Sequence, residues 1–267
     1  MGSINEANPY VIMGRELVAS LGLDAANACA AARADFIRVS PLDVEVVDEE
    51  GEPVPLMGHQ VPIIAKGYAG DALLIRLLGA TLKNLQPQLD VIVQHGMKVG
   101  LYLCLPDERT CFQQLDELVS EGIRFILEDK AQSLAEVPLA QRVTSIAQRA
   151  VMDAGITLNF QSVYGYTNLT ATDEAFQRSA DALAAGEIDV AIVGGVDALT
   201  GSDRLHWLLG MDRLQTAEKA AGLVPGEACG LLLIAAAHTA GQLGMASVGK
   251  LTGAAAVGTS PVAESSA

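Results

Sequence analysis

The residues of this 267-residue chain best able to attack a carbonyl are its four cysteines, Cys29, Cys104, Cys111 and Cys229. A thiol attacks only as its thiolate, and near neutral pH the thiolate forms beside a cation, a metal or a helix N-terminus. The four are scattered, with no CxxC and no nearby histidine pair, so neither a zinc site nor a disulfide framework is expected. Cys111 follows "DERT" at the start of a helical stretch and is the best placed for a lowered pKa; a merely buried or exposed cysteine is the plainer reading. Cys104 and Cys229 lie in apolar runs and read as small core residues. His59, His95, His206 and His238 have no partner in sequence and read as packed or surface imidazoles. No GxSxG elbow, P-loop or GxGxxG after a strand is present, so no cofactor is expected.

The remaining stretch with chemical potential is "VAIVGGVDAL", residues 190–199. An apolar run ends in Gly194 and Gly195, which marks either a tight exit from a sheet or a place where something approaches the backbone closely.

The chain must position such residues with a particular composition. Hydrophobic residues make up 50% and aromatic ones 4%, so the interior is built from Ala, Leu, Val and Ile. With 17 basic against 32 acidic residues the formal net charge is −15, and no Lys/Arg cluster appears. Nucleic acid is excluded as a partner on that ground, and a strongly acidic partner is disfavoured. The longest apolar stretch, residues 228–237, is about half of the ~20 residues that a membrane span needs. No signal-peptide pattern opens the chain, so a cytoplasmic, reducing location is expected and no membrane.

Periodicity and turn residues predict strands at 10–14, 99–105, 125–129, 155–163, 189–196 and 226–236, with 245–257 pairing with the last of these. Helices are predicted over 22–36 with Asp24 as N-cap, and over 70–89, 112–122, 139–154 and 201–210. A further helix over 171–186 is capped by Thr172 or Asp173 and stopped by Gly186. Residues 40–61 read as a loop or small hairpin. The alternation predicts one α/β domain over 1–267, a layered fold with a mostly parallel mixed sheet covered by helices.

The order of these landmarks resembles the N-terminal half of the β-ketoacyl synthases, in the thiolase superfamily. "GEIDVAIVGGVDAL", then a helix, then "GLVPGEACGLLLIA" follow that family's pattern, and "YVIMGRELVASLGLDAANACAAARA" looks like its first strand and helix. The resemblance implies a thiolase-like fold and a site closed by Gly194, Gly195, Leu223, Gly226 and Glu227. It implies a nucleophilic cysteine at the start of the 171–186 helix, and gap-free counting back from Gly194 places that position at Leu169. The local "YGYTNLTATDEAF" offers only Thr167, Asn168 and Thr170 as polar neighbours, so the nucleophile position is degenerate. Leu223 stands where the family gates its acyl pocket with phenylalanine. The family's histidines lie in a C-terminal half, of which residues 258–267 would be the start.

Three readings of function follow. The leading one is a non-catalytic ketosynthase-like protein acting as a binding, assembly or chain-length-factor-like partner. The second is an acyl-thioester condensing enzyme of the 3-oxoacyl synthase type, completed by a half that this chain lacks. The third is an adaptor of a larger bacterial assembly. The resemblance implies a homodimer, or a heterodimer with a synthase-like chain, through the unguarded edge of 155–163. It also implies acyl-CoA or acyl carrier protein as further partners, and it leads to the expectation that no thiol lies at the helix start.

Overall fold

The computed structural model describes residues 10–47, 50–113, 121–168, 170–216 and 219–252. Strand β1 (Tyr10–Ala19) leads into α1 (Ala25–Arg33), and Asp24 caps that helix by accepting from the Asn27 amide at 2.8 Å. A hairpin of β2 (Ser40–Val47) and β3 (Pro53–Gly58) follows, then the short α2 (Pro62–Ala65). The expected 70–89 helix is two helices, α3 (Gly70–Asn84) and α4 (Gln86–Gln94), because the chain breaks at Leu85 and Pro87 opens the next first turn.

Strand β4 (Val99–Cys104) runs into α5 (Glu108–Gln113), after which the described chain resumes in α6 (Glu121–Glu136). Residues 125–129, expected as a strand, lie inside α6. Ile123, Leu127, Ala131 and Leu134 recur at helical spacing and meet Phe112, which outweighs the local β-propensity. The helix predicted over 112–122 overlaps α5 and the first turn of α6, and its middle lies outside the described residues. Helix α7 (Leu139–Ala154) ends at Gly155 in a left-handed turn, with φ 65°. That turn corrects the strand expected at 155–163. The chain first buries Ile156 and Leu158 in an irregular segment, and β5 spans Phe160–Tyr166.

Helix α8 (Ala171–Ala184) has Thr170 at its N-cap position, two residues before Thr172 and three before Asp173, and no side chain bonds that cap. Strand β6 (Val190–Ala198), α9 (Ser202–Gly210), β7 (Glu227–Ala236) and α10 (Ala237–Gln242) complete the domain with β8 (Gly249–Leu251). The expected β7–β8 pair does not form. Both strands pair with β1, and α10 separates them in sequence. Residues 253–257 of that expectation lie outside the described residues.

The sheet is mixed, in the order β5-β4-β6-β7-β1-β8. Its parallel pairing is confined to β5-β4-β6, and the β6-β7, β7-β1 and β1-β8 ladders are antiparallel. Strand β6 sits at the junction and is buried on both faces, which explains its uninterrupted apolar run. Val190, Ile192 and Val196 join the main core with α3, α4 and α7, while Ala191 and Val193 meet α8 on the opposite side. The α/β layered architecture expected from sequence is therefore present, but the sheet is not the mostly parallel one expected, since among the described residues three of its five ladders run antiparallel.

Candidate functional site

The N-terminus of α8 follows edge strand β5 directly, so it lies at the C-terminal end of the parallel strands, where open α/β sheets hold their sites. Thr170 occupies the cap. Its hydroxyl lies 2.5 Å from Glu174 Oε1 and 3.0 Å from Asn168 Oδ1. Asn168 Nδ2 donates to Glu174 Oε1 at 3.0 Å, and the Thr170 amide donates to Asn168 Oδ1 at 3.0 Å. The Thr170 hydroxyl first, and the Asn168 amide second, hold the Glu174 carboxyl below its ordinary range. Asp173 and Glu174 set two acids in the first turn, where the helix dipole favours them. The helix end is thus already occupied by carboxylates, and a thiolate formed there would face like charge. Thr167 is half-buried and Asn168 exposed; Leu169, the aligned nucleophile position, lies outside the described residues.

A thiol does stand beside this helix, which corrects the expectation of none. Cys104 closes β4 in register with Tyr166 on one side and Gly195 on the other. Burial pushes its thiol above the ordinary range, and a hydrogen bond to Thr172 in the first turn of α8 offsets this only in part. Glu174 raises it further. These are the reverse of the conditions that make a thiolate. Around it, Tyr102 and Tyr164 stack with centroids 5.4 Å apart, and the Arg178 guanidinium lies 5.2 Å from the Tyr164 ring centroid. Burial also pushes the Tyr166 phenol well up. Cys111, the thiol favoured from sequence, is raised by burial as well, with Arg204 opposing.

The paired glycines have separate reasons. A Cβ on Gly194 would meet the Gly230 carbonyl oxygen at 2.0 Å, so the β6–β7 ladder admits only glycine there. A Cβ on Gly195 would lie 3.3 Å from Cys104 Cβ, so this position keeps the face beside α8 open. Glu227 is buried, and both of its oxygens are engaged inside the fold. The Val61 amide donates to Oε1 at 2.5 Å and the Thr200 hydroxyl donates to Oε2 at 2.5 Å. Gly226 lies in the same clamp, where the His59 amide donates to the Pro225 carbonyl at 2.7 Å and the Leu199 amide to the Gly226 carbonyl at 2.8 Å. Leu223 is 44% exposed and lies apart from these, in the wall of a cleft of about 1000 Å³.

Two charged arrangements escaped the sequence reading. Arg142 is buried between α3 and α5, where its Nε donates to Asp71 Oδ1 at 3.0 Å and its Nη2 to Glu108 Oε2 at 2.7 Å. Arg204 is 7% exposed on α9, 4.0 Å from Asp197. The partners of Arg142 are distant in sequence, so spacing alone could not reveal that arrangement. Among the described residues no group of three His, Cys, Asp or Glu could hold a metal, and no helix is long and apolar enough to cross a membrane.

Residues 162–240 match the family described as "Beta-ketoacyl synthase, N-terminal domain". The fold is the thiolase-like fold of ketosynthases. The oxazolomycin ketosynthase domain of Streptomyces albus superposes with a TM-score of 0.58 at 15% identity, over 91% of this chain and 45% of that one. A type II ketosynthase in complex with its acyl carrier protein gives 0.58 at 13% identity, over 90% and 61%. The ishigamide ketosynthase/chain length factor gives 0.56 at 16%, also over 90% and 61%. The chain thus spans between 45% and 61% of the length of these solved relatives. No curated protein matches it in sequence.

Proposed function

We propose that this chain is a non-catalytic ketosynthase-like scaffold that pairs with a synthase-like chain through β5 and α8, in the manner of a chain-length-factor subunit. The observation that carries this reading is the start of α8. There Thr170, Asn168 and Glu174 bond one another, two acids fill the first turn, and the neighbouring thiol of Cys104 is held protonated. The pairing rests on topology: among the described residues β5 is an edge of the sheet, bonded to β4 alone, and Phe160–Tyr166 carries no lysine or proline to guard it.

Sedimentation velocity tests this, with the chain alone and mixed with a ketosynthase that retains its cysteine. Association at micromolar concentration is expected in at least one arm, and it is weakened by Gln161→Lys, which places like charges near one another across a two-fold strand pair. Monomers in both arms would overturn the reading.

One observation favours a second reading, in which Cys104 serves as a relocated nucleophile, because it lies against the first turn of α8. Its raised pKa opposes that role. Acylation of Cys104 by an acyl thioester separates the two readings.

A further inference from the structure

Arg204 is buried with little to balance it. Its Nη2 stands 4.0 Å from Asp197 Oδ1, on an aspartate whose side chain is 53% exposed. Its Nε and Nη1 are buried and have no hydrogen-bond partner among the described residues. The guanidinium carbon lies 5.5 Å from the ring centroid of Trp207, and Trp207 Nε1 is a third buried donor without an acceptor. Arg204 and Trp207 are three residues apart on α9 and so share one face of the helix. Three donors with no acceptor among the described residues complement an oxygen anion, and folding leaves such groups unpaired only at a cost.

Trp207 also forms part of the wall of the cleft of about 1000 Å³, together with the apolar side chains of Leu208, Met211 and Leu223. Among the described residues the charged side chains of that wall are Arg213, Lys219 and Asp212; Lys219 pairs with Asp212, which leaves Arg213 as a further cation facing the cleft. We propose that this is a binding site for a carboxylate with an apolar body. The carboxylate takes Arg204 and Trp207 Nε1, and the body lies along Leu208, Met211 and Leu223. Since the idle nitrogens are sealed from solvent, entry of the ligand turns the Trp207 ring aside. The site uses no thiol and no thioester, so it stands or falls separately from the scaffold reading.

The chain's single tryptophan reports on its own site. Titration of the full chain with sodium decanoate below its micellar concentration is expected to change tryptophan emission saturably. The uncharged 1-decanol is expected to bind the same chain about 10- to 100-fold more weakly, the factor that one charge-assisted hydrogen bond carries. Arg204→Met is expected to weaken decanoate binding by the same factor. That variant is expected to melt no lower than the parent, since it removes an unsatisfied buried charge. If it does not fold, Arg204→Lys decides the matter, because its point charge lacks the fork and is expected to bind about tenfold more weakly. The proposal is overturned if decanoate gives no saturable change, if decanol binds equally well, or if the folded Arg204 variant binds decanoate as tightly as the parent.

Discussion

Replacing Gly194 with alanine tests the account of the paired glycines at its sharpest point. The added Cβ would lie 2.0 Å from the Gly230 carbonyl oxygen, where contacts under 3.0 Å are essentially never seen. Strands β6 and β7 would therefore have to part by about 1 Å at this point. The obstructing atom is backbone, so no side-chain rotation relieves it, and the ladder continues on both sides from Val190↔Ala235 to Ala198↔Glu227. Overpacking of a core costs about 1–3 kcal/mol, and a clash against backbone in a central ladder belongs at or above the upper end. For a chain of this size about 3 kcal/mol corresponds to a fall in Tm of roughly 6–12 °C. Gly195→Ala is the matched control. Its Cβ would meet Cys104 Cβ at 3.3 Å, a gap that a few tenths of an ångström relieves, so its cost is expected to stay below about 1 kcal/mol. Thermal and urea unfolding of both variants decide it. Equal losses, or a larger loss for Gly195→Ala, would refute the reasoning.

Arg142→Met strands the Glu108 carboxylate, whose side chain is 11% exposed, and is expected to cost about 3–5 kcal/mol in chemical denaturation. Alkylation followed by peptide mass spectrometry is expected to find exposed Cys29 modified first. Cys104 reacts slowly at neutral pH and faster as pH rises beyond the ordinary thiol range, while Cys229, pushed up to about 12 by burial, reacts only on unfolding. Glu174 has a folded pKa below its ordinary 4.5, so its contribution to α8 is present above that value and is lost as pH falls through the folded one. Glu174→Gln is expected to narrow the difference between the melting temperatures measured at pH 7 and pH 3.

Elements with strong periodicity were legible in the sequence. Helix α7 and the β6–α9–β7 succession stand where their apolar patterns placed them, and Asp24 caps α1 through an ordinary local bond. Residues 125–129 misled because Phe125 and Ile126 raise β-propensity locally, although both are exposed on a helix whose buried stripe is Leu127 and Ala131. The start of β5 misled because buried Ile156 and Leu158 imitate strand alternation in an irregular segment after Gly155. The site was legible only along the chain. Thr170, Asn168 and Glu174 are neighbours in sequence, whereas Cys104 reaches α8 through parallel pairing of β4 with β5 and β6. The ends of parallel strands converge, and that rule was the one signal able to place Cys104 there in advance. Arg204 was invisible because its significance lies in buried donors that have no acceptor among the described residues.

The central claim is that the start of α8 supports no thioester chemistry. Its most direct test is intact-mass spectrometry of the full chain after incubation with an acyl-CoA at pH 7, beside a Cys104→Ala control. The account predicts an unmodified mass for both proteins, since the Cys104 thiol stays protonated and Glu174 stands charged beside it. A stoichiometric acyl adduct on the parent that is absent from Cys104→Ala would contradict it.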